Sequence, residues 1–216
     1  MRLRLLMVSG GVACLVLGGG WVLGGAGLVP QRSPDRVQAV NVGGYSVGIS
    51  FATRQPTKSC VVVVGWPLTL KGGCEKGGRR VTHLIEVKDL QPERTYLALV
   101  ETEGRLAWFK TVRVETEAVE EQVPLPPDPG YGSVVDPEGN PVVGALVVIY
   151  PVSEKFYYPV ATLTNIEGNY AVDISPLARL SDRLRIEAVS TQGIWADLSV
   201  DSSVYSPFPP ITVRTD

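Results

Sequence analysis

The chain reads as all-β: two small antiparallel β-sandwiches joined by a linker rich in Pro and Glu, with an N-terminal hydrophobic helix ahead of them. Three observations predict this. Short runs of Val, Ile, Thr and Tyr recur after residue 36, and clusters of Gly and Pro separate them; the chain has 23 and 17 of these. Branched and aromatic side chains suit a pleated surface, whereas Gly and Pro end strands and build turns. Tyr45, Val47, Ile49 and Phe51 alternate with Ser46, Gly48 and Ser50, the period of a half-buried strand. No helical period persists beyond residue 30.

Composition narrows the function. Hydrophobic residues make up 44% of the chain, enough for packed cores. The net charge is -2 and the pI about 5.6, so no basic excess points to nucleic acid or to acidic lipid, and no nucleic-acid partner is expected.

Residues 1–30 differ from the rest. Arg2 and Arg4 precede Leu5–Gln31, which carries no charge. About 20 apolar residues cross a bilayer core, so the segment is long enough to span. One reading is an uncleaved single-pass anchor through residues 5–29, with the β-domains outside the cell membrane. The other is a signal peptide cut near Ala26, where Gly24 and Ala26 are small, leaving a secreted protein. Val12-Ala13-Cys14 resembles the end of a lipobox, but Gly11 stands where Leu is expected, and lipidation of Cys14 stays open. Either way the remainder is exported.

The first β segment spans about 37–114. Strands are expected at Tyr45–Phe51, Cys60–Trp66, Arg79–Lys88, Thr95–Glu101 and Leu106–Val114. Turn signals stand at Gln55-Pro56, Lys71-Gly72-Gly73, Glu75–Gly78, Gln91-Pro92 and Glu103-Gly104. Leu90-Gln-Pro92-Glu-Arg-Thr-Tyr96 resembles the Leu-x-Pro-x-x-x-Tyr corner of fibronectin type III domains, and His83–Val87 resembles the strand leading into it. The family usually carries Trp on its second strand, where this chain has Phe51. The resemblance implies a seven-strand sandwich whose Tyr96 hydroxyl caps a backbone group.

Residues 115–130 read as a linker. Glu115, Glu117, Glu120 and Glu121 repel one another, and Pro124, Pro126, Pro127 and Pro129 stiffen the chain, so a spacer is expected. Beyond it, Gly132–Val147 forms strand, turn and strand around Asp136-Pro-Glu-Gly139. Pro sets φ in that turn and Gly tolerates positive φ. That segment, Ala161–Tyr170 and Leu184–Val189 resemble the carboxypeptidase regulatory-like family. The resemblance covers about 131–216 and implies a transthyretin-like sandwich.

Chemistry is sparse. Cys60 and Cys74 are the only cysteines of the exported part, and an even pair in an oxidising compartment predicts a disulfide. His83 is the single histidine. Zinc-type sites need three or four ligands, so no metal site is expected and His83 reads as a strand residue. Gly44-Tyr-Ser46-Val-Gly48 has the Gly-x-Ser-x-Gly spacing but lies in the run read as a strand, not at a strand-to-helix elbow, and no phosphate-binding loop occurs in the exported part, so no catalytic residue and no cofactor is expected, and the chain reads as not an enzyme. Asp136 and Glu138 read as turn residues, not calcium ligands. Phe156, Tyr157 and Tyr158 are candidate ligand-binding rings, since exposed aromatics stack on sugars and anchor interfaces; the plainer role is covering the end of a core. The expected function is a membrane-attached binding, adhesion or spacer module of the cell surface, with a protein or glycan partner. Alternatives are a carbohydrate-binding module or an accessory part of an extracellular hydrolase system.

Overall fold

The computed structural model describes residues 33–107, 110–119, 126–153, 157–178, 181–193, 195–201 and 207–214. The expected membrane segment, residues 1–30, lies outside the described residues. Among the described residues no helix is long and apolar enough to cross a membrane.

The first sandwich comprises β1 (Asp35–Val40), β2 (Val47–Thr57), β3 (Ser59–Gly65), β4 (Thr69–Cys74), β5 (Arg80–Val87), β6 (Thr95–Thr102), β7 (Arg105–Leu106) and β8 (Val112–Glu115). One sheet has the order β1-β2-β5. The other runs β4-β3-β6, with β7 and β8 on successive stretches of the free edge of β6. β7 and β8 thus act as one broken strand where a single run, Leu106–Val114, is expected from sequence. Three strands face four, the fibronectin type III-like arrangement. Inward residues alternate as the sequence predicts: Val47, Ile49 and Phe51 from β2, Val61 and Val63 from β3, Tyr96, Ala98 and Val100 from β6. The Tyr96 hydroxyl accepts a hydrogen bond from the Gln91 amide at 2.9 Å, closing the tyrosine corner.

Lys71-Gly72-Gly73, expected as a turn, is instead the middle of edge strand β4. The glycines are there because backbone passes close by. A Cβ on Gly73 would lie 2.6 Å from the Glu86 carbonyl oxygen, and one on Gly72 2.9 Å from that of Val61. Gln55-Pro56 likewise lies inside β2, where the register with β5 shifts between Ala52 and Thr57. Pro lacks a ladder donor, which a bulged stretch tolerates. The disulfide Cys60–Cys74 is present and joins directly opposed residues of β3 and β4.

The second sandwich comprises β9 (Pro129–Val135), β10 (Leu146–Pro151), β11 (Val160–Leu163), β12 (Asn169–Asp173), one helical turn α1 (Ser175–Ala178), β13 (Arg183–Val189), β14 (Trp195–Asp201) and β15 (Ile211–Thr212). Its sheets are β11-β10-β13-β14 and β12-β9-β15, antiparallel except for the short β15 beside β9. The turn after β9 forms as expected: Asp136 accepts from the Asn140 backbone at 2.7 Å and its side chain at 2.9 Å. These bonds hold the Asp136 carboxyl below the usual range, the Asn140 side chain contributing most. In the later turn, Gly168 has φ 72 and packs where a Cβ would meet the Val134 carbonyl oxygen at 2.7 Å.

The sandwiches are not held apart. The outer face of β1-β2-β5 packs on the outer face of β11-β10-β13-β14, making a four-layer stack of sheets. Val40 and Ala52 meet Leu146, Val148, Ala161 and Val189, with Leu84, Tyr150 and Trp195 at the margin. This explains why Leu146–Ile149 is an unbroken apolar run on an antiparallel strand: Val147 and Ile149 enter one core, Leu146 and Val148 the seam. Such strands ordinarily alternate because one face is wet. Small residues Gly48, Ser50 and Ala52 on β2 let the sheets approach. The expected linker is strapped at both ends, since Thr116 is bonded to Arg94 and Gln91 and β9 already starts at Pro129. Residues 120–125 lie outside the described part.

Candidate binding groove

At one end of the seam the two sandwiches leave a groove of about 550 Å³. One wall is Val37, Gln38 and Ala39 of β1 with Arg113 of β8; the other includes Tyr150, Tyr157 and Tyr158. Tyr157 and Tyr158, two of the three rings singled out from sequence, therefore stand together in a groove that neither sandwich forms alone. Phe156 lies outside the described residues. Tyr158 also has a structural role. Its ring packs on the first core, and its hydroxyl accepts from the Glu115 amide at 2.9 Å.

Polar bonds between sandwiches set the groove's shape. Asn41 lies just past β1 with φ 48, a left-handed conformation that Asn tolerates better than most residues. Its side chain donates to the Ala161 carbonyl and accepts from the Ala161 amide, both at 2.8 Å. Asn41 thereby pairs edge strand β11 as a neighbouring strand would. The Thr82 hydroxyl donates to the Gly144 carbonyl at 2.6 Å. Arg36 stacks 3.7 Å from the centre of the Trp195 ring and pairs with Glu187 at 3.2 Å. Arg185 pairs with the other oxygen of Glu187 at 2.9 Å. The Tyr150 hydroxyl donates to Gln38 at 2.9 Å, and burial pushes its pKa up to about 12. Apart from Arg185 and Glu187, two positions apart on β13, these partners were not foreseeable from spacing: Arg36 and Glu187 stand 151 residues apart.

His83 sits where no substrate reaches. It is buried, stacked on Phe51 at 4.4 Å between ring centres. Its Nε2 lies 3.1 Å from the Thr53 hydroxyl and 3.2 Å from that of Thr57, which continues to Ser59 at 3.0 Å. Its Nδ1 lies 3.0 Å from the Glu75 carboxylate, close but off-axis for a hydrogen bond. The row carboxylate, imidazole, hydroxyl has the residue types of a hydrolytic triad. It is sealed inside the first core, where the Thr53 and Thr57 hydroxyls meet Nε2 while Nδ1 and the facing Glu75 oxygen have no hydrogen-bond partner. Sequence reading placed His83 in a strand and missed its partners, which come from β2, β3 and the segment after β4. Among the described residues no group of three or more His, Cys, Asp or Glu is placed to hold a metal ion.

A second cleft of about 760 Å³ opens on the side of the second sandwich beside Tyr131, Asn169 and Pro207. Tyr170 forms part of its floor. That hydroxyl is buried without a hydrogen-bond partner, and burial raises its pKa. Phe208, next to Pro207, is a core residue.

No family model matches the chain, and no curated protein matches it. Solved structures do align with it. The PhoD structure is 14% identical over 46% of this chain and 21% of that one, with a TM-score of 0.33. Fibronectin domains FN1–FN3 of chicken CNTN1 are 15% identical over 86% of this chain and 67% of that one, TM-score 0.31. A two-domain fibronectin type III segment of chicken tenascin is 9% identical over 78% of this chain and 98% of that one, TM-score 0.29. The chain thus spans about a fifth of the length of the PhoD structure it matches.

Proposed function

We propose that this chain is an exported, membrane-attached, non-catalytic protein of the cell surface that binds or spaces a partner. The observation that carries the reading is the four-layer stack itself: two sandwiches locked face to face, with a groove lined by Tyr150, Tyr157, Tyr158 and Arg113 at their seam. A block of this kind presents a preformed surface at little conformational cost. Three further features support it. The uncharged run Leu5–Gln31 is long enough to anchor, the Cys60–Cys74 disulfide suits an oxidising compartment, and the Glu75–His83–Thr57 row is closed to substrate. The second sandwich is proposed to be carboxypeptidase regulatory-like. Removing residues 1–30 should release the protein from the membrane fraction; a truncated chain that still sediments with membranes sinks the anchor.

A carbohydrate ligand is the specific alternative, because paired tyrosines beside Arg113 and Gln38 offer both stacking faces and hydrogen-bonding groups. Glycan-array binding that Tyr157→Ala abolishes would favour it. No binding to any glycan leaves a protein partner as the reading.

A further inference from the structure

The β3-β4 end of the outer face of the β4-β3-β6 sheet carries an apolar row where the exposed face of an antiparallel sheet is ordinarily polar; the row stops at Arg113, opposite Leu97, and Thr95, Glu101 and Glu115 share the rest of the face. Register places Leu70 opposite Val64, and Val64 opposite Leu97. Leu70 is 66% exposed and Leu97 43%. At the end of this row the turn between β3 and β4 leaves Trp66 and Leu68 each 86% exposed. The facing sheets of the seam cover each other, but nothing in this chain covers these four residues among the described ones. A contiguous row of large exposed apolar groups marks a contact surface.

We propose that this face rests on the lipid bilayer, with Trp66, Leu68 and Leu70 in the interfacial layer and the other three sheets stacked away from it. The proposal rests on the membrane attachment inferred above. Chain length and position select lipid as the occupant. The uncharged run ends at Gln31, and β1 begins at Asp35. Those four steps reach about 13 Å at roughly 3.3 Å each. Packed sheets lie about 10 Å apart. Fully extended, a tether of that reach is long enough to pass the one layer that separates β1 from the β4-β3-β6 sheet. The start of β1 already borders that sheet, since the Asp35 carboxylate lies 3.9 Å from the Lys110 ammonium, just ahead of β8. Trp settles at the level of lipid headgroups without needing charge, which suits a chain of net charge -2. An upright molecule would instead point this turn away. Asp35 pairs with Ala52 at one end of the sandwich, whereas Gly65, next to Trp66, pairs with Tyr96 at the other.

The test uses the full chain in phosphatidylcholine vesicles, in a Cys14→Ser background that leaves the Cys60–Cys74 disulfide intact. A single environment-sensitive NBD label is placed by Leu68→Cys or by Ile166→Cys. Ile166 is 81% exposed on the second sandwich. Brominated lipid is expected to quench the label at 68 about two-fold and leave the label at 166 unchanged, as interfacial Trp-Leu insertion requires. Trp66→Ser with Leu70→Ser should reduce the quenching at 68. Co-flotation of the protein with vesicles scores the tether separately. Protein that floats while both labels behave alike, or while only 166 is quenched, overturns the proposal and leaves the anchor standing. A label at 68 that shifts with protein concentration but ignores brominated lipid shows a second copy on this face and also overturns it. Protein that does not float removes both.

Discussion

Replacing Asn41 by Ala tests whether the two sandwiches are one structural unit. The substitution removes both 2.8 Å bonds to the Ala161 backbone. Asn41 itself is exposed but Ala161 is buried in the seam, so each bond is worth at least about 1 kcal/mol. Ala at φ 48 adds about 1 kcal/mol of left-handed strain. The expected loss is at least about 3 kcal/mol for Asn41→Ala. Asn41→Gly keeps the backbone conformation and should lose at least about 2 kcal/mol. Urea unfolding followed by far-UV circular dichroism and by tryptophan fluorescence measures both, because Trp195 lies in the seam. Wild type should show one coincident transition, displaced as a whole in each variant with an unchanged denaturant slope. Two separated transitions in wild type, or an Asn41→Ala variant within about 0.5 kcal/mol of it, would refute the reasoning.

Other parts of the stack make further predictions. Replacing Cys60 and Cys74 by Ala opens a loop with a sequence separation of 14 and should cost about 3 kcal/mol, read as a lower urea midpoint that reductant reproduces in wild type. Gly73→Ala should cost about 1–3 kcal/mol because its Cβ would strike the Glu86 carbonyl. Gly78→Ala, with nothing within 4 Å of the new carbon, is the control and should stay near wild type by the same melts. Tyr150 has a folded pKa raised to about 12 from 10.0, so its contribution is complete below pH 10 and disappears as pH climbs through 12. Ultraviolet titration should show a late tyrosinate step that Tyr150→Phe removes, and a Tyr150 that ionises near 10 would contradict the buried setting.

Local chemistry was legible in the residues. Alternation at Tyr45–Phe51 located the start of β2, the Leu90–Tyr96 pattern located the tyrosine corner, and Asp136-Pro-Glu-Gly139 located its turn, because each depends on neighbours within a few positions. An even pair of cysteines sufficed for the disulfide. Gly72 and Gly73 misled, since glycine marks a turn and a close backbone approach equally well, and only the position of Glu86 decides which. Leu146–Ile149 reads in the sequence only as part of a strand; that both its faces are buried, and against what, only the packed structure shows. Asn41 could not be recognised as the partner of Ala161, nor Glu75 and Thr57 as the partners of His83. Periodicity specifies which side of a strand is apolar; it carries no information about the remote surface that covers it. That choice is made by fit and by hydrogen bonds between distant segments, and it turned two sandwiches joined by a stiff linker into a single stack with a groove at its seam.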